Sequence, residues 1–449
     1  MNTKFPLFKY TFIVLSIMCC IMLGSTSIIF AISEFRSSEA PSQDPAVTTE
    51  TGAAKNSPAV VTEPVSPSAM PISTTSDSAI TSDTDAPDTN AITTPVEPKA
   101  ASTPASITIS AVGDIMAHQG NLNNAYNPKT GKYDFTGFLE FVKPILTKSD
   151  LTIGNFETVT AGPKSGYTSY PAFNTPDEIL PALSQAGFDI LSTANNHCLD
   201  RGISGLTRTI QMINNNKMIN IGSSTNGKNK YVIKEINGIK LGILAYSGLY
   251  NGADKRLTQA QRDTYLSMLE EKQIQKDIKE AKAAKADAII IIAHWGNEYQ
   301  REPSNSQTAL AKKMLSWGAD IILGSHPHVI QKSEIVKIDG KDKFIIYSMG
   351  NFISGYRRVD KANRPNKVFT EDGVIVNLQI EKSAEKGTII KSVDYVPTWV
   401  DKYYVNNRPV FKILPIPDPQ IKASYVTSNN KKFIVESYKN TMGIMAKMR

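Results

Sequence analysis

Between Ile107 and Phe352 the chain repeats one pattern, a short apolar run that ends in a cluster of Asp, Asn, Glu or His. ITISAVGD (Ile107 to Asp114) ends on an aspartate and LTIGNFE (Leu151 to Glu157) on a glutamate. FDILSTANNH (Phe188 to His197), DAIIIIAHWGNEY (Asp287 to Tyr299), ADIILGSHPH (Ala319 to His328) and KFIIYSMGNF (Lys343 to Phe352) continue the series. Runs this apolar predict strands covered on both faces. The stretches between them carry helix signals: TPDEILPALSQAG has Pro near its start and Gly at its end. A long charged helix is expected from about Gln259 to Lys285, another in SQTALAKKMLSWG, and hairpins at Asn237-Gly238 and Asp339-Gly340. Strands alternating with helices, plus hairpins, predict an α/β domain with a mixed sheet or two stacked sheets. Ligands of open α/β sheets bind at the carboxyl ends of the strands, so the polar clusters are expected to meet on one rim.

The histidines sharpen this. The chain has 5 of them in 449 residues: His118, His197, His294, His326 and His328, all at or just past a predicted strand end. Imidazole ligates Zn, Mn, Fe and Ni, and carboxylates share such sites. Asp114, Glu157, Asn195 and Asn196 belong to the same strand ends and supply oxygens. The set suffices for two divalent metals roughly 3.5–4 Å apart, an arrangement that can clamp both oxygens of an ester under attack. The competing reading is a row of hydrogen-bonded structural histidines. Gly-Asn is also ordinary turn chemistry, so Asn351 in GNFI reads equally as a turn residue. Cys198, without a second cysteine nearby, reads as a small packed residue.

The rest of the chain is different in kind. Residues 1–9 read as a cytoplasmic tail, and Tyr10 to Ile32 as an uncharged apolar run long enough to span a bilayer. Lys4 and Lys9 precede it, which places the N-terminus in the cytoplasm and the remainder outside the cell, a single-pass anchor in the cell membrane. A cleaved signal peptide is the alternative. Residues 33–105, rich in Ser, Thr, Pro and Ala, read as a disordered stalk. The folded domain is expected over 106–415, with a basic extension at 416–449. The net charge of +7 permits an anionic partner, but no nucleic-acid-binding motif accompanies it, so nucleic acid is not expected. Lysines and the basic loop YRRVDKANRPNK (Tyr356 to Lys367) read either as an electrostatic contact for such a partner or as an ordinary solvated surface.

Taken in order, GDIM, GNFE, ANNHCLDRG, HWGNEY, GADIILGSHPHVIQ and YSMGNFI resemble the CapA family of capsule and poly-γ-glutamate synthesis proteins, itself similar to calcineurin-like metallophosphoesterases. The resemblance implies an α/β fold, a metallophosphoesterase-like layered αββα sandwich with mixed sheets. It implies Asp114 and His328 as ligands of one metal, His294 and His326 of a second, Glu157 bridging, and Asn196 as a further ligand. It casts His197 as a general acid oriented by Asp200, with His118, Asn155, Asn195, Glu298, Gln331 and Asn351 around the metals or the substrate. Two departures stand out: Met116 occupies the usual Asp-x-His position, and Gly154-Asn155-Phe156-Glu157 replaces Gly-Asp-x-x-Asp. The implied role is polymer synthesis or export beside membrane-bound synthase subunits, with poly-γ-glutamate as the anionic partner. A metal-dependent hydrolase and a non-catalytic polymer-binding subunit both fit that role.

Overall fold

The computed structural model describes residues 104–228, 230–358 and 365–447, all within one compact unit. The expected tail, membrane anchor and nearly all of the stalk lie outside the described residues. Among the described residues no helix is long and apolar enough to cross a membrane.

In chain order, β1 (Ala105–Ile115) leads to α1 (Gln119–Ala125), the short strands β2 (Tyr126–Asn127) and β3 (Lys132–Tyr133), and single turns α2 (Thr136–Leu139) and α3 (Lys143–Leu146). β4 (Leu151–Phe156), α4 (Ile179–Gln185), β5 (Ile190–Ser192), α5 (Gly202–Asn215) and β6 (Ile219–Ile221) follow. Next come β7 (Val232–Ile236), β8 (Ile239–Ser247), α6 (Gln259–Tyr265), α7 (Glu271–Ala283) and β9 (Ala288–His294). Then come α8 (Asn305–Trp317), β10 (Ile321–Ser325), β11 (Ile330–Ile338), β12 (Lys341–Met349) and β13 (Asn351–Ile353). Last are β14 (Asp372–Ser383), β15 (Gly387–Val405), β16 (Arg408–Pro415) and α9 (Lys431–Met442).

The strands form two large mixed sheets. One has the order β16-β15-β14-β1-β4-β5-β6 with β13 also beside β1; the other is β11-β12-β10-β9-β8-β7. The run β1-β4-β5-β6 is parallel, as is β8-β9-β10-β12, while the hairpin strands pair antiparallel at the flanks. Strand alternation builds the layers. In β9, Ile290 and Ile292 face the other sheet, against Ile109, Ile153 and Val376. Ile289 and Ile291 face outward to Ile274 and Ile278 of α7 and Met314 of α8. The opposite outer face, with Val112 and Phe156, is covered by α4 and α5 through Leu183 and Ile213. The result is an αββα sandwich, with each fully buried Ile contributing about 1.5–3 kcal/mol.

Local signals set helix ends where the sequence carries them. Ser304 caps α8 in a reciprocal pair with Gln307, and Gly318 ends it at φ 119°. The continuous helix expected from Gln259 to Lys285 is interrupted instead. Between α6 and α7 the chain runs extended beside β8, where Ser247 N–H donates to Ser267 O (3.0 Å) and Leu269 N–H to Ser247 O (2.9 Å). Leu266 is drawn into a cluster with Leu206 and Tyr250, and that burial overrides helical propensity. The described part of the basic extension, 416–447, packs on the domain: Ile434 of α9 is buried with Trp399, Leu414 and Ile416.

Candidate metal centre

The strand ends meet because neighbouring strands approach closely just before them. A Cβ on Gly113 would lie 1.9 Å from Gly350 O, and one on Gly324 1.9 Å from Tyr347 O, so only glycine permits either approach. Gly113 precedes Asp114, whose N–H donates to Gly350 O at 3.0 Å. Past Gly324, His326 and His328 both take left-handed backbone, φ 98° and 58°. Non-glycine residues held there cost on the order of 1–3 kcal/mol each and collect at functional sites. The strained turn answers why two histidines flank Pro327: it turns both rings into the rim.

Two groups of ligand atoms result, Asp114, Glu157 and His328 in one and Glu157, His294 and His326 in the other, the atoms of each lying within 4.8 Å of one another. All five residues are buried. Glu157 is common to both groups, and neither of its carboxylate oxygens has a hydrogen-bond partner. Its nearest imidazole nitrogens are His328 Nε2 at 3.7 Å and His294 Nε2 at 3.8 Å, beyond hydrogen-bonding reach. Burial and the adjacent Asp114 charge push the Glu157 carboxyl far above the usual range. A carboxyl in such a place ionises only if a cation compensates it. Burial alone would raise Asp114 as well, but its contacts with His328, Asn155 and His326 outweigh that and hold it low. Burial, then the neighbouring imidazoles, pushes His294 well down; burial and His328 bring His326 to about 4, a neutral ligand at ordinary pH. A buried carboxylate without donors, beside the neutral His294 and His326 imidazoles, fits divalent cations.

Side chains behind the ligands fix their orientation. His328 Nδ1 donates toward Asp114 Oδ2 (3.0 Å) and Asn351 Oδ1 (3.1 Å), which leaves Nε2 with its lone pair. Asn351 Nδ2 donates to Thr370 O. Asn155 Nδ2 donates to Asp114 Oδ1 at 2.8 Å and lies 3.2 Å from His294 Nδ1, joining the two groups. His294 Nε2 meets Asn196 Oδ1 at 2.9 Å, so Asn196 lies at the second group. Asn195 shapes the turn: it donates to Phe156 O and accepts from His197 N–H.

His197 Nδ1 lies 2.8 Å from Asp200 Oδ2, which also accepts from Phe173 N–H at 2.6 Å. The Phe173 ring stands edge-on 4.7 Å from the His197 ring. His118 caps the start of α1 outside both groups, its Nδ1 accepting from Gly355 N–H at 3.1 Å. Burial takes its pKa to about 3. Glu298 acts by charge on Glu157 and His326. Gln331 is not brought to the rim: its amide is consumed by Gln307, Gln300 O and Glu302 O, and it ties down the loop before α8. Cys198 is buried among Leu199, Leu206 and Tyr250. Sequence reasoning missed Phe173, Tyr299, Tyr356 and Asn251, which touch the site residues through ring contacts or the Asn196 amide. Tyr356 was within reach as the first residue of the basic loop. In that loop Arg357 and Arg358 are both paired with buried Glu371.

Layers and rim together define an α/β-sandwich protein with a buried carboxylate–imidazole centre at its strand ends. The chain belongs to the family described as bacterial capsule synthesis protein PGA_cap, which matches residues 108–356. It is 32% identical over 304 residues to the capsule biosynthesis protein CapA of Bacillus anthracis, covering 65% of this chain and 67% of that one. Over 290 residues it is 28% identical to the PGA biosynthesis protein CapA of Bacillus subtilis, covering 62% and 68%. Among solved structures, the calcineurin-like phosphoesterase YfkN from Bacillus subtilis aligns with a TM-score of 0.39 and 18% identity, over 76% of this chain and 99% of that one.

Proposed function

We propose that the chain is a membrane-anchored CapA-like protein of capsule or poly-γ-glutamate synthesis and export, whose rim is a two-metal hydrolase-type site. Membership of the capsule synthesis family supports the role. The observation that carries the chemistry is Glu157, buried between Asp114 with His328 and His294 with His326, with both oxygens unpartnered. Divalent cations of the Mn, Zn or Fe type, once bound, supply Lewis-acid polarisation of a substrate oxygen and activation of water. The protein's own contribution lies beside them. Asp200 holds His197 through Nδ1, so Nε2 is the atom that delivers a proton to the leaving group. Phe173 covers the His197 ring and keeps bulk water from it.

The run from Tyr10 to Ile32, preceded by Lys4 and Lys9, supports a single span with the folded domain outside the cell. Membrane-bound synthase subunits and the anionic polymer are the partners of this reading.

The test is elemental analysis of the full chain beside the double variant His326→Ala/His328→Ala. About two ions per chain are expected in the parent, with near-complete loss in the folded variant. A folded parent chain that stays metal-free when Mn, Zn or Fe is supplied overturns the hydrolase reading.

A further inference from the structure

The mouth of the rim carries a second set of groups that the metal reading does not use. Tyr356 stands with its ring centroid 5.4 Å from that of His328 and 4.6 Å from that of His118. Tyr299, at φ 62°, lies 6.2 Å from the His328 ring, and its hydroxyl donates to Tyr356 OH at 3.0 Å. Over this pair lies Lys367, its Nζ 5.2 Å from the Tyr299 centroid and 5.5 Å from that of Tyr356. The Asn366 amide pins the segment by donating to Tyr299 O at 2.8 Å. Among the described residues no carboxylate is paired with Lys367.

His118 supplies an independent observation. Because its Nδ1 accepts from Gly355 N–H, the ring proton sits on Nε2, and that buried atom has no partner. An unmet buried N–H is costly, so its retention calls for an acceptor that arrives with a ligand. Phe173 packs edge-on to both His118 (5.4 Å) and His197 (4.7 Å), which places this donor beside the proposed general acid.

Resting on the two-metal reading above, we propose that Lys367 and His118 Nε2–H form a subsite for an acidic peptide-like chain. Lys367 takes a side-chain carboxylate and His118 the carbonyl of the neighbouring amide. One ammonium over aromatic faces matches a single carboxylate; a phosphate dianion calls for several charged donors converging on it.

The test is binding of a fluorescent γ-linked glutamate oligomer, a matched glutamine oligomer and polyphosphate to the full chain, with metal content read on the same samples. Lys367→Met is expected to weaken the glutamate oligomer roughly tenfold, the size of a lost charge-assisted hydrogen bond. It leaves the glutamine oligomer unchanged, and Lys367→Arg restores most of the affinity. His118→Leu weakens both oligomers, because both carry the amide carbonyl. Unchanged affinity in Lys367→Met, or tighter binding of polyphosphate than of the glutamate oligomer, overturns the subsite. Metal-free protein that still depends on Lys367 retains the subsite and overturns the metal reading; metal-loaded protein indifferent to Lys367 does the reverse.

Discussion

Asp114 and His328 are separated by 214 residues of chain, yet Asp114 Oδ2 and His328 Nδ1 lie 3.0 Å apart. Asp114 is near the end of β1 in one sheet, and His328 follows β10 in the other. Ligand geometry therefore depends on how the sheets stack, and the core between them is what holds the rim.

The two ligand groups make separable predictions. Asp114→Asn weakens the group it shares with His328 and is expected to lower metal content from about two ions to about one. Glu157→Ala, common to both groups, is expected to empty the rim. Inductively coupled plasma analysis of folded variants reads the difference. Equal losses in the two variants argue against separate halves.

Glu371 is the keystone of the segment behind the mouth. It is 1% exposed, and it accepts from Arg357 Nη2 (2.8 Å), Arg358 Nε and Trp399 Nε1 (2.8 Å). Removing one partner of a buried ion pair strands the others and costs about 3–5 kcal/mol. Glu371→Ala should lose that much in urea unfolding, while Glu371→Gln loses less because the amide still accepts from Trp399. A loss under about 1 kcal/mol, the size of an exposed pair, would contradict this.

How much of this could be read beforehand differs by element, for physical reasons. Asp114, Glu157, Asn196, His197, His294, His326 and His328 could be singled out because each is local to the end of an apolar run, and parallel neighbours share one end. The break at Leu266 was hidden because GlnAlaGln and GluLysGln on either side carry equal helical signals; only burial beside Tyr250 selects the extended path. Gln331 looked like part of the GSHPHVIQ motif, but β11 carries it away to Gln307. The mouth was invisible because Lys367, Tyr299 and His118 come from three distant segments, and nothing local to any of them encodes the meeting.

Cys198 lies next to the proposed acid His197, and a thiol there invites a nucleophilic role. Its surroundings deny it: the residue is 1% exposed, and burial pushes its thiol up to about 12. The thiolate that reacts is therefore scarce at pH 8. Site-resolved mass spectrometry after iodoacetamide treatment should find Cys198 unmodified in native protein and fully modified in urea. Rapid labelling under native conditions would restore it as a chemical group.

Asp372 gives the pH dependence. Its carboxyl is fully buried, and burial is the main cause that raises its pKa from 3.8 to about 6. Asn440 Nδ2 donates to Oδ2 at 3.1 Å, and Arg358 Nη2 stands 3.8 Å from Oδ1, too far to bond. Arg358 is already committed to Glu371, whose own charge disfavours a second carboxylate, and Arg301 nearby is turned to Asn440 O. Because the folded pKa lies above the unfolded one, the folded state keeps its proton longer, and stability falls as pH rises from about 4 to about 6. The full shift corresponds to about 3 kcal/mol above that window. Asp372→Asn mimics the protonated form, so it should be more stable than the parent at pH 7 by about 1–3 kcal/mol, after the lost attraction to Arg358 is subtracted. At about pH 3, below both values, the two should unfold at nearly the same urea concentration. A variant less stable than the parent at pH 7 would mean that the Arg358 charge outweighs burial, and the sign of the dependence would reverse.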